Sequence, residues 1–218
     1  ERAKDMLTAN LRAAMKIGGV YVLTDARRDA EETIGAALEG GARIVQLREK
    51  TLPTPRLIEL AKRIRRMTQS ALFIVNDRVD VALASDADGV HVGPDDMRPA
   101  DVRRLVGDKI VGVSVGTVEE GIAAAPYASY FGVGAIYGTS TKADAGDAVG
   151  TQRIRDVRTT FPAMPIIAIG GIGRGNIGEA ARAGADGAAV VSAVAGAEDM
   201  RAATAELVRL WGASVVSR

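Results

Sequence analysis

The sequence contains no cysteine and a single histidine, His91. Without thiols there can be no disulfide, thiolate zinc site, iron–sulfur cluster or cysteine nucleophile, and one imidazole excludes a multi-histidine metal centre. Aromatic residues make up 4% of the chain, too few for a base-stacking platform or an interfacial aromatic belt. An excess of one charge is missing too: 28 Lys and Arg stand against 27 Asp and Glu, for a net +1. That balance argues against a nucleic-acid binder and against a helix lying on an anionic membrane, since both need a basic surplus. No apolar run approaches a membrane span, and the opening residues carry charges throughout, unlike a secretion signal. What remains is the expectation of a cytoplasmic, enzyme-like domain: 218 residues suit one domain, and 47% of them are hydrophobic, enough to build a full core.

Short β-branched runs bounded by Gly or Asp alternate with amphipathic stretches. The strand candidates are Val20–Thr24, Arg43–Leu47, Leu72–Val75, Gly89–Val92, Ile110–Ser114, Tyr130–Val133, Ile166–Ile169 and Gly187–Val191. Several are apolar at consecutive positions, such as Phe73-Ile74-Val75, as expected of parallel strands covered on both faces. Helices are expected over Glu31–Leu38, Arg56–Met67, Ala100–Leu105 and Glu179–Ala183. In Arg56–Met67 the residues Leu57, Leu60, Ala61 and Ile64 form the apolar face, with Lys62, Arg63, Arg65 and Arg66 outside. The turns Glu39-Gly40-Gly41-Ala42, Ser85-Asp86-Ala87-Asp88-Gly89 and Ala183-Gly184-Ala185-Asp186-Gly187 each offer a glycine for a left-handed helix cap. Eight strand–helix units without a linker predict a single α/β (β/α)8 TIM barrel over residues 20–218. A doubly wound sheet is disfavoured because no G-x-G-x-x-G follows the first strand. Ahead of it, in residues 1–19, Leu7, Leu11, Ala14 and Met15 form a helical stripe that predicts an extra N-terminal helix.

The active site of such a barrel lies where the strands end. Strand two ends Gln46-Leu47-Arg48-Glu49-Lys50, whose alternation gives Gln46, Arg48 and Lys50 one orientation. Strand three ends Asn76-Asp77-Arg78, strand four runs through His91 to Asp95-Asp96, and strand five ends at Ser114. Tyr137 to Lys142 follow strand six, Gly170-Gly171 follow strand seven, and Val191-Ser192 close strand eight. Each piece alone has an ordinary reading. The cations could be a solvated patch, Asn76-Asp77 a helix cap, and Asp95-Asp96 first-turn acids before Pro99. His91 could be a core histidine, Thr139-Ser140-Thr141 a polar loop, and Gly170-Gly171 a tight turn. Their convergence on one rim favours chemistry. Asp77 and Asp96, from different strands, suit Mg²⁺, which takes a few carboxylates together with phosphate oxygens and water. Glycine amides after strand seven and Ser192 after strand eight suit a second phosphate. Two anionic groups are therefore expected.

The segments Tyr21-Val22-Leu23-Thr24-Asp25, Gln46-Leu47-Arg48-Glu49-Lys50, Val75-Asn76-Asp77-Arg78, Gly89-Val90-His91-Val92-Gly93, Thr139-Ser140-Thr141-Lys142 and Ala168-Ile169-Gly170-Gly171-Ile172 occur in order and at natural spacing. In combination they resemble the thiamine phosphate synthase family, over nearly everything from residue 20 to residue 195. The resemblance implies a transferase of thiamine biosynthesis that joins hydroxymethylpyrimidine diphosphate to a thiazole phosphate and releases pyrophosphate. By the same resemblance, Gln46, Arg48, Lys50, Asn76 and Lys142 would hold the pyrimidine diphosphate. Ser114 would contact the pyrimidine, and Asp77 and Asp96 would bind Mg²⁺. Thr139, Ser140, Thr141, Gly171, Val191 and Ser192 would hold the thiazole phosphate. Arg48, Lys50, Lys142 and Ser114 would carry the catalysis, with small molecules as partners, no nucleic acid or membrane, and a homo-oligomer compatible with all of this. The chain departs from the family's usual residues at Pro94, Ala135, Gly138 and Gly116. A Val115-Gly116 pair after the serine looks more like the synthase domain of fungal bifunctional enzymes than like the related thiazole tautomerases, which carry histidine there. A tautomerase-like relative would also be expected to lose the diphosphate and metal residues. A sugar-phosphate isomerase would need positioned acid/base groups, and a non-catalytic binding barrel would not need the whole constellation.

Overall fold

Eight short parallel strands close on themselves in the computed structural model, which describes residues 17–138 and 148–216. They are β1 (Gly19–Leu23), β2 (Ile44–Leu47), β3 (Leu72–Asn76), β4 (Gly89–Val92), β5 (Ile110–Val115), β6 (Tyr130–Val133), β7 (Ile166–Ile169) and β8 (Gly187–Val190). Neighbours in sequence are neighbours in the sheet, and β8 pairs back onto β1 with Val190 beside Val22. Around them run α1 (Ala30–Glu39), α2 (Thr54–Met67), α3 (Val79–Ala84), α4 (Pro99–Val106), α5 (Val118–Ala124), α6 (Gln152–Thr160), α7 (Ile177–Ala183), α8 (Ser192–Ala195) and α9 (Met200–Val216). This is the (β/α)8 barrel that the alternation predicts, with strand bounds within a residue of expectation. The stripe Leu7, Leu11, Ala14 and Met15 lies outside the described residues.

The strands are apolar on both faces because each face meets a different core. Val20, Val22, Val45, Leu47, Phe73 and Val75 point outward and pack under the helices. Their alternating neighbours Tyr21, Leu23, Ile44, Leu72 and Ile74 fill the barrel together with Tyr130 and Ile167. Each such buried side chain contributes roughly 1.5–3 kcal/mol relative to exposure. The helices start on local signals. Asp29 accepts from the Glu32 amide at 2.8 Å at the head of α1, and Thr117 from the Glu120 amide at 3.1 Å at the head of α5. The long α9 lies across β1, α1 and α7, covering the seam where β8 meets β1, with Leu207 and Trp211 buried beneath it.

Two local expectations are corrected. Arg65 does not lie outside α2: its side chain is buried, 2.9 Å from Thr68 Oγ1 and 3.5 Å from Asp88 Oδ2. The carboxylate and hydroxyl give the guanidinium partners that water would otherwise supply. In the turn over residues 85–89 the left-handed residue is Asp86, at φ 53°, not Gly89. Gly184 does cap α7 in the left-handed conformation, at φ 110°. Gly89 serves another purpose, because a Cβ there would run into the Ile110 carbonyl oxygen and lie 2.6 Å from Ile110 Cβ. It lets β4 lie close against β5. Gly89→Ala is therefore expected to lower stability by about 1–3 kcal/mol, read as a shift in the denaturant midpoint; an unchanged midpoint would show that β4 and β5 can part at no cost.

Candidate active site

Strand alternation decides which side chains reach the barrel mouth. Val45 and Leu47 pack outward, so Gln46 points inward, and Arg48 emerges at the rim beyond it. Thr24 fixes that exit: its Oγ1 accepts from the Arg48 amide at 2.8 Å and donates to the Arg48 carbonyl at 3.1 Å. The same logic sends Asn76, His91 and Ser114 inward from β3, β4 and β5. Together with Lys50, Asp77 and Asp96 these residues line a small cavity of about 70 Å³ at the mouth. Of the residues assigned from the sequence, the structure thus brings together Arg48, Lys50, Asn76, Asp77, Asp96 and Ser114.

The two carboxylates face each other. Asp77 sits at φ 61°, a left-handed conformation that costs a non-glycine residue energy, and Arg78 N donates to Asn76 O across it at 2.7 Å, the hydrogen bond of a γ-turn. Asp77 therefore does not cap a helix; α3 begins after Arg78 without a side-chain cap. Asp96 is likewise not a helix-turn acid. Its Oδ2 accepts from the Gly93 amide at 2.7 Å, and it stands two residues ahead of Arg98, the residue that caps α4. Burial, together with the Asp96 carboxylate within hydrogen-bond reach, pushes Asp77 up to about 6, against the pull of Lys50 and Arg48. Lys50 Nζ stands 3.6 Å from Asp77 Oδ2. Among the described residues no group of three or more His, Cys, Asp or Glu gathers around one point. Two opposed carboxylates fit Mg²⁺ nonetheless, because that ion commonly takes one or two from the protein and completes its octahedron with phosphate and water.

His91 is the residue that reading strand ends undervalues. It is half-buried and lines the mouth, with Nε2 2.9 Å from Ser114 Oγ and Nδ1 2.9 Å from the Tyr130 hydroxyl. Tyr130 in turn meets Tyr21 at 3.1 Å, and Gln46 Nε2 donates to Tyr21 at 2.6 Å. Gln46 itself is buried beneath the mouth, and its Oε1 has no hydrogen-bond partner among the described residues. The signal that could have found this arrangement is Gly112, in register between His91 and Tyr130. A strand glycine there removes the side chain that would separate them.

The arc over β7 and β8 is separate from that cavity. Gly170 and Gly171 have φ 99° and 63°, and added Cβ atoms would lie 2.6 Å from Ala135 Cα and from the Gly138 carbonyl. The glycines thus admit the loop after β6. Asn176 braces the turn, accepting from the Gly173 amide at 2.8 Å and donating to the Gly171 carbonyl at 2.9 Å. Val191 and the exposed Ser192 open α8 beside it. Thr139, Ser140, Thr141 and Lys142 lie outside the described residues. A larger cleft of about 520 Å³ opens between the β1 and β2 loops and shares only Arg48 with the mouth.

A closed barrel whose mouth sets two cations around a carboxylate pair, above a half-buried serine, defines an enzyme for anionic small molecules. The particular kind follows from its relatives. The family model for thiamine monophosphate synthase matches residues 20–194. The chain is 49% identical to the thiamine-phosphate synthase of Chloroflexus aurantiacus over 195 residues, which is 86% of this chain and 90% of that one. It is 46% identical to the thiamine-phosphate synthase of Archaeoglobus fulgidus over 195 residues, 88% of this chain and 92% of that one. The solved thiamine phosphate pyrophosphorylase from Pyrococcus furiosus superposes with a TM-score of 0.85 at 40% identity, covering 90% of this chain and 96% of that one. The chain belongs to the thiamine monophosphate synthase family.

The opposed carboxylates should cost the ligand-free fold. Asp77→Asn keeps a residue that tolerates the left-handed backbone while removing one charge. It is expected to raise stability in EDTA by about 1 kcal/mol, a figure discounted for the solvent that reaches the pair, and denaturant titration of both proteins would measure it. A loss of stability instead would mean that the two carboxylates do not oppose each other.

Proposed function

We propose that this protein is a cytoplasmic, magnesium-assisted thiamine phosphate synthase that couples hydroxymethylpyrimidine diphosphate to hydroxyethylthiazole phosphate. The observation that carries the reading is the opposed pair Asp77 and Asp96 with Lys50 3.6 Å away and Arg48 on the same rim. A net negative pair flanked by cations suits a diphosphate bridged to the protein through a divalent ion better than it suits a bare carboxylate or a neutral sugar. Asp77 and Asp96 would hold Mg²⁺, which supplies charge neutralisation to the diphosphate.

In this reading Arg48, Lys50 and Asn76 bind the diphosphate, with Lys142 from the loop after β6. Gln46 and Ser114 hold the pyrimidine, and the unpartnered Gln46 Oε1 is an acceptor for its amine. The bond from the methylene carbon to the diphosphate oxygen breaks with its electron pair passing to pyrophosphate. Arg48, Lys50 and Lys142 stabilise that charge as it develops. The aminopyrimidine donates electron density to the methylene left behind, and the thiazole nitrogen attacks it with its own lone pair to form the new C–N bond. The thiazole nitrogen loses no proton, so the step needs no general base, consistent with a mouth holding a single imidazole. Thr139, Ser140, Thr141, Gly171, Val191 and Ser192 would seat the thiazole phosphate so that its nitrogen faces the methylene, and positioning of the two substrates supplies much of the rate. Small-molecule substrates are the partners of this site, the near-balanced net charge of +1 does not favour nucleic acid, and self-association into a homo-oligomer is compatible with the barrel.

Incubation with the two substrates should give thiamine phosphate by chromatography with Mg²⁺ and none in excess EDTA, and Asp77→Ala or Asp96→Ala should greatly reduce the Mg²⁺-dependent rate. Product formed equally well in EDTA would remove the metal from the mechanism. Arg48→Ala is expected to weaken the pyrimidine diphosphate by at least about tenfold, as for a lost charge-assisted bond, and to leave thiazole phosphate affinity nearly unchanged. Equal losses for both, by calorimetry, would mean that the two anions are placed wrongly.

A further inference from the structure

We propose that a hydrogen-bonded chain through the barrel interior, Gln46–Tyr21–Tyr130–His91, positions the Ser114 hydroxyl as a donor to an acceptor atom of the ligand in the mouth. The proposal deepens the synthase reading, and only the identity of that ligand rests on it.

The order of the contacts sets their direction. Gln46 Nε2 can only donate, so the Tyr21 oxygen 2.6 Å away accepts from it, and the Tyr21 hydrogen goes to its other partner, Tyr130, at 3.1 Å. Tyr130 then gives its hydrogen to His91 Nδ1 at 2.9 Å, which must be bare to accept it. A neutral imidazole with a bare Nδ1 carries its hydrogen on Nε2, and that hydrogen points at Ser114 Oγ 2.9 Å away. Ser114 accepts there, so its own hydroxyl hydrogen remains for whatever occupies the mouth. The ligand atom it meets is an acceptor such as a ring nitrogen of an aminopyrimidine, not an amine.

The opposite direction would need the Gln46 amide turned over. Its oxygen would then accept from Tyr21, every bond in the chain would reverse, and Ser114 would spend its hydrogen on His91. In the arrangement seen, the group left without a partner is a carbonyl-type oxygen, Gln46 Oε1. Turning the amide would bury an NH₂ with no acceptor instead, and orphaned buried donors are rarer than orphaned acceptors. Burial raises both tyrosine pKa values above the ordinary phenol, so each keeps the hydrogen that the chain requires.

The strands are shaped to admit this chain. His91, Gly112 and Tyr130 are register neighbours on β4, β5 and β6. A Cβ at Gly112 would collide with the Tyr130 ring and lie 2.5 Å from His91 Nδ1, and one at Gly132 would lie 2.9 Å from His91 Cε1. Apolar side chains of the same size would fill the interior without four desolvated polar groups, each costly unless bonded. A chain that ends on a mouth-lining serine has a use that a purely structural cluster lacks.

Because His91 is the only histidine, protein labelled with ¹⁵N at histidine yields a single imidazole, and two-bond ¹H–¹⁵N spectra of the ligand-free protein report its tautomer. The expected result is hydrogen on Nε2, giving way to a mixture of tautomers in Tyr130→Phe and in Tyr21→Phe. Hydrogen on Nδ1 in the unsubstituted protein would overturn the proposal, as would an Nε2–H pattern untouched by both substitutions. In turnover assays Tyr130→Phe should raise KM for the pyrimidine diphosphate roughly tenfold, the size of one displaced hydrogen bond, with KM for the thiazole phosphate within about twofold. Equal increases in both would also overturn it. No turnover by the unsubstituted protein would sink the synthase reading and leave the tautomer result standing.

Discussion

Everything at the mouth depends on strand alternation in a closed parallel barrel. Each strand must satisfy two cores, one under the helices and one inside the ring, so successive residues are committed to opposite sides. Where the inner core ends, the same alternation continues with polar residues and delivers Arg48, Asn76, His91 and Ser114 to one small space. A one-residue slip of β2 would exchange Leu47 for Gln46 in the interior and turn the cation outward. Hydrophobic packing thereby holds the register of the chemistry. Thr24 adds a local clamp by holding the Arg48 backbone at both its amide and its carbonyl.

Much of this is legible in the sequence, for a physical reason. Strands buried on both faces read as unbroken apolar runs, and residues such as Phe73-Ile74-Val75 leave little choice of element. The rim residues of β2 to β5 follow from counting two positions at a time past each run. What the sequence conceals is which neighbour each polar group finds. Arg65 reads as a solvated face of α2 because its partner Asp88 stands before β4, twenty-three residues on. Asp86 takes the left-handed turn position that a nearby glycine would suit, since Gly89 is claimed by the backbone of β5. His91 reads as a core residue for the same reason. Its partners come from β5 and β6, and only the register through Gly112 brings them to it.

The mouth also shows how stability is given up for function. A close pair of carboxylates, one of them on a left-handed backbone, is a poor choice for a fold alone. So is a row of tyrosine, tyrosine, histidine and serine inside an otherwise apolar ring. The carboxylates follow β3 and β4 and the row runs over β1, β4, β5 and β6, whereas β7 and β8 bring only apolar residues and glycines to the interior. The arc from β1 to β6 thus holds charge and aligned hydrogen bonds, and the arc of β7 and β8 makes room for a neighbouring loop.

The helix over the β8–β1 seam has a practical consequence. The chain's one tryptophan, Trp211, is buried in that outer layer and is absent from the residues that line the mouth. Two of its four tyrosines, Tyr21 and Tyr130, lie inside the barrel beneath the mouth. Tryptophan emission therefore follows packing of α9 over the seam, while Tyr21 and Tyr130 add to the phenol absorbance a part that follows events within the ring. Assembly of the barrel and occupation of its centre can be watched in one unlabelled sample.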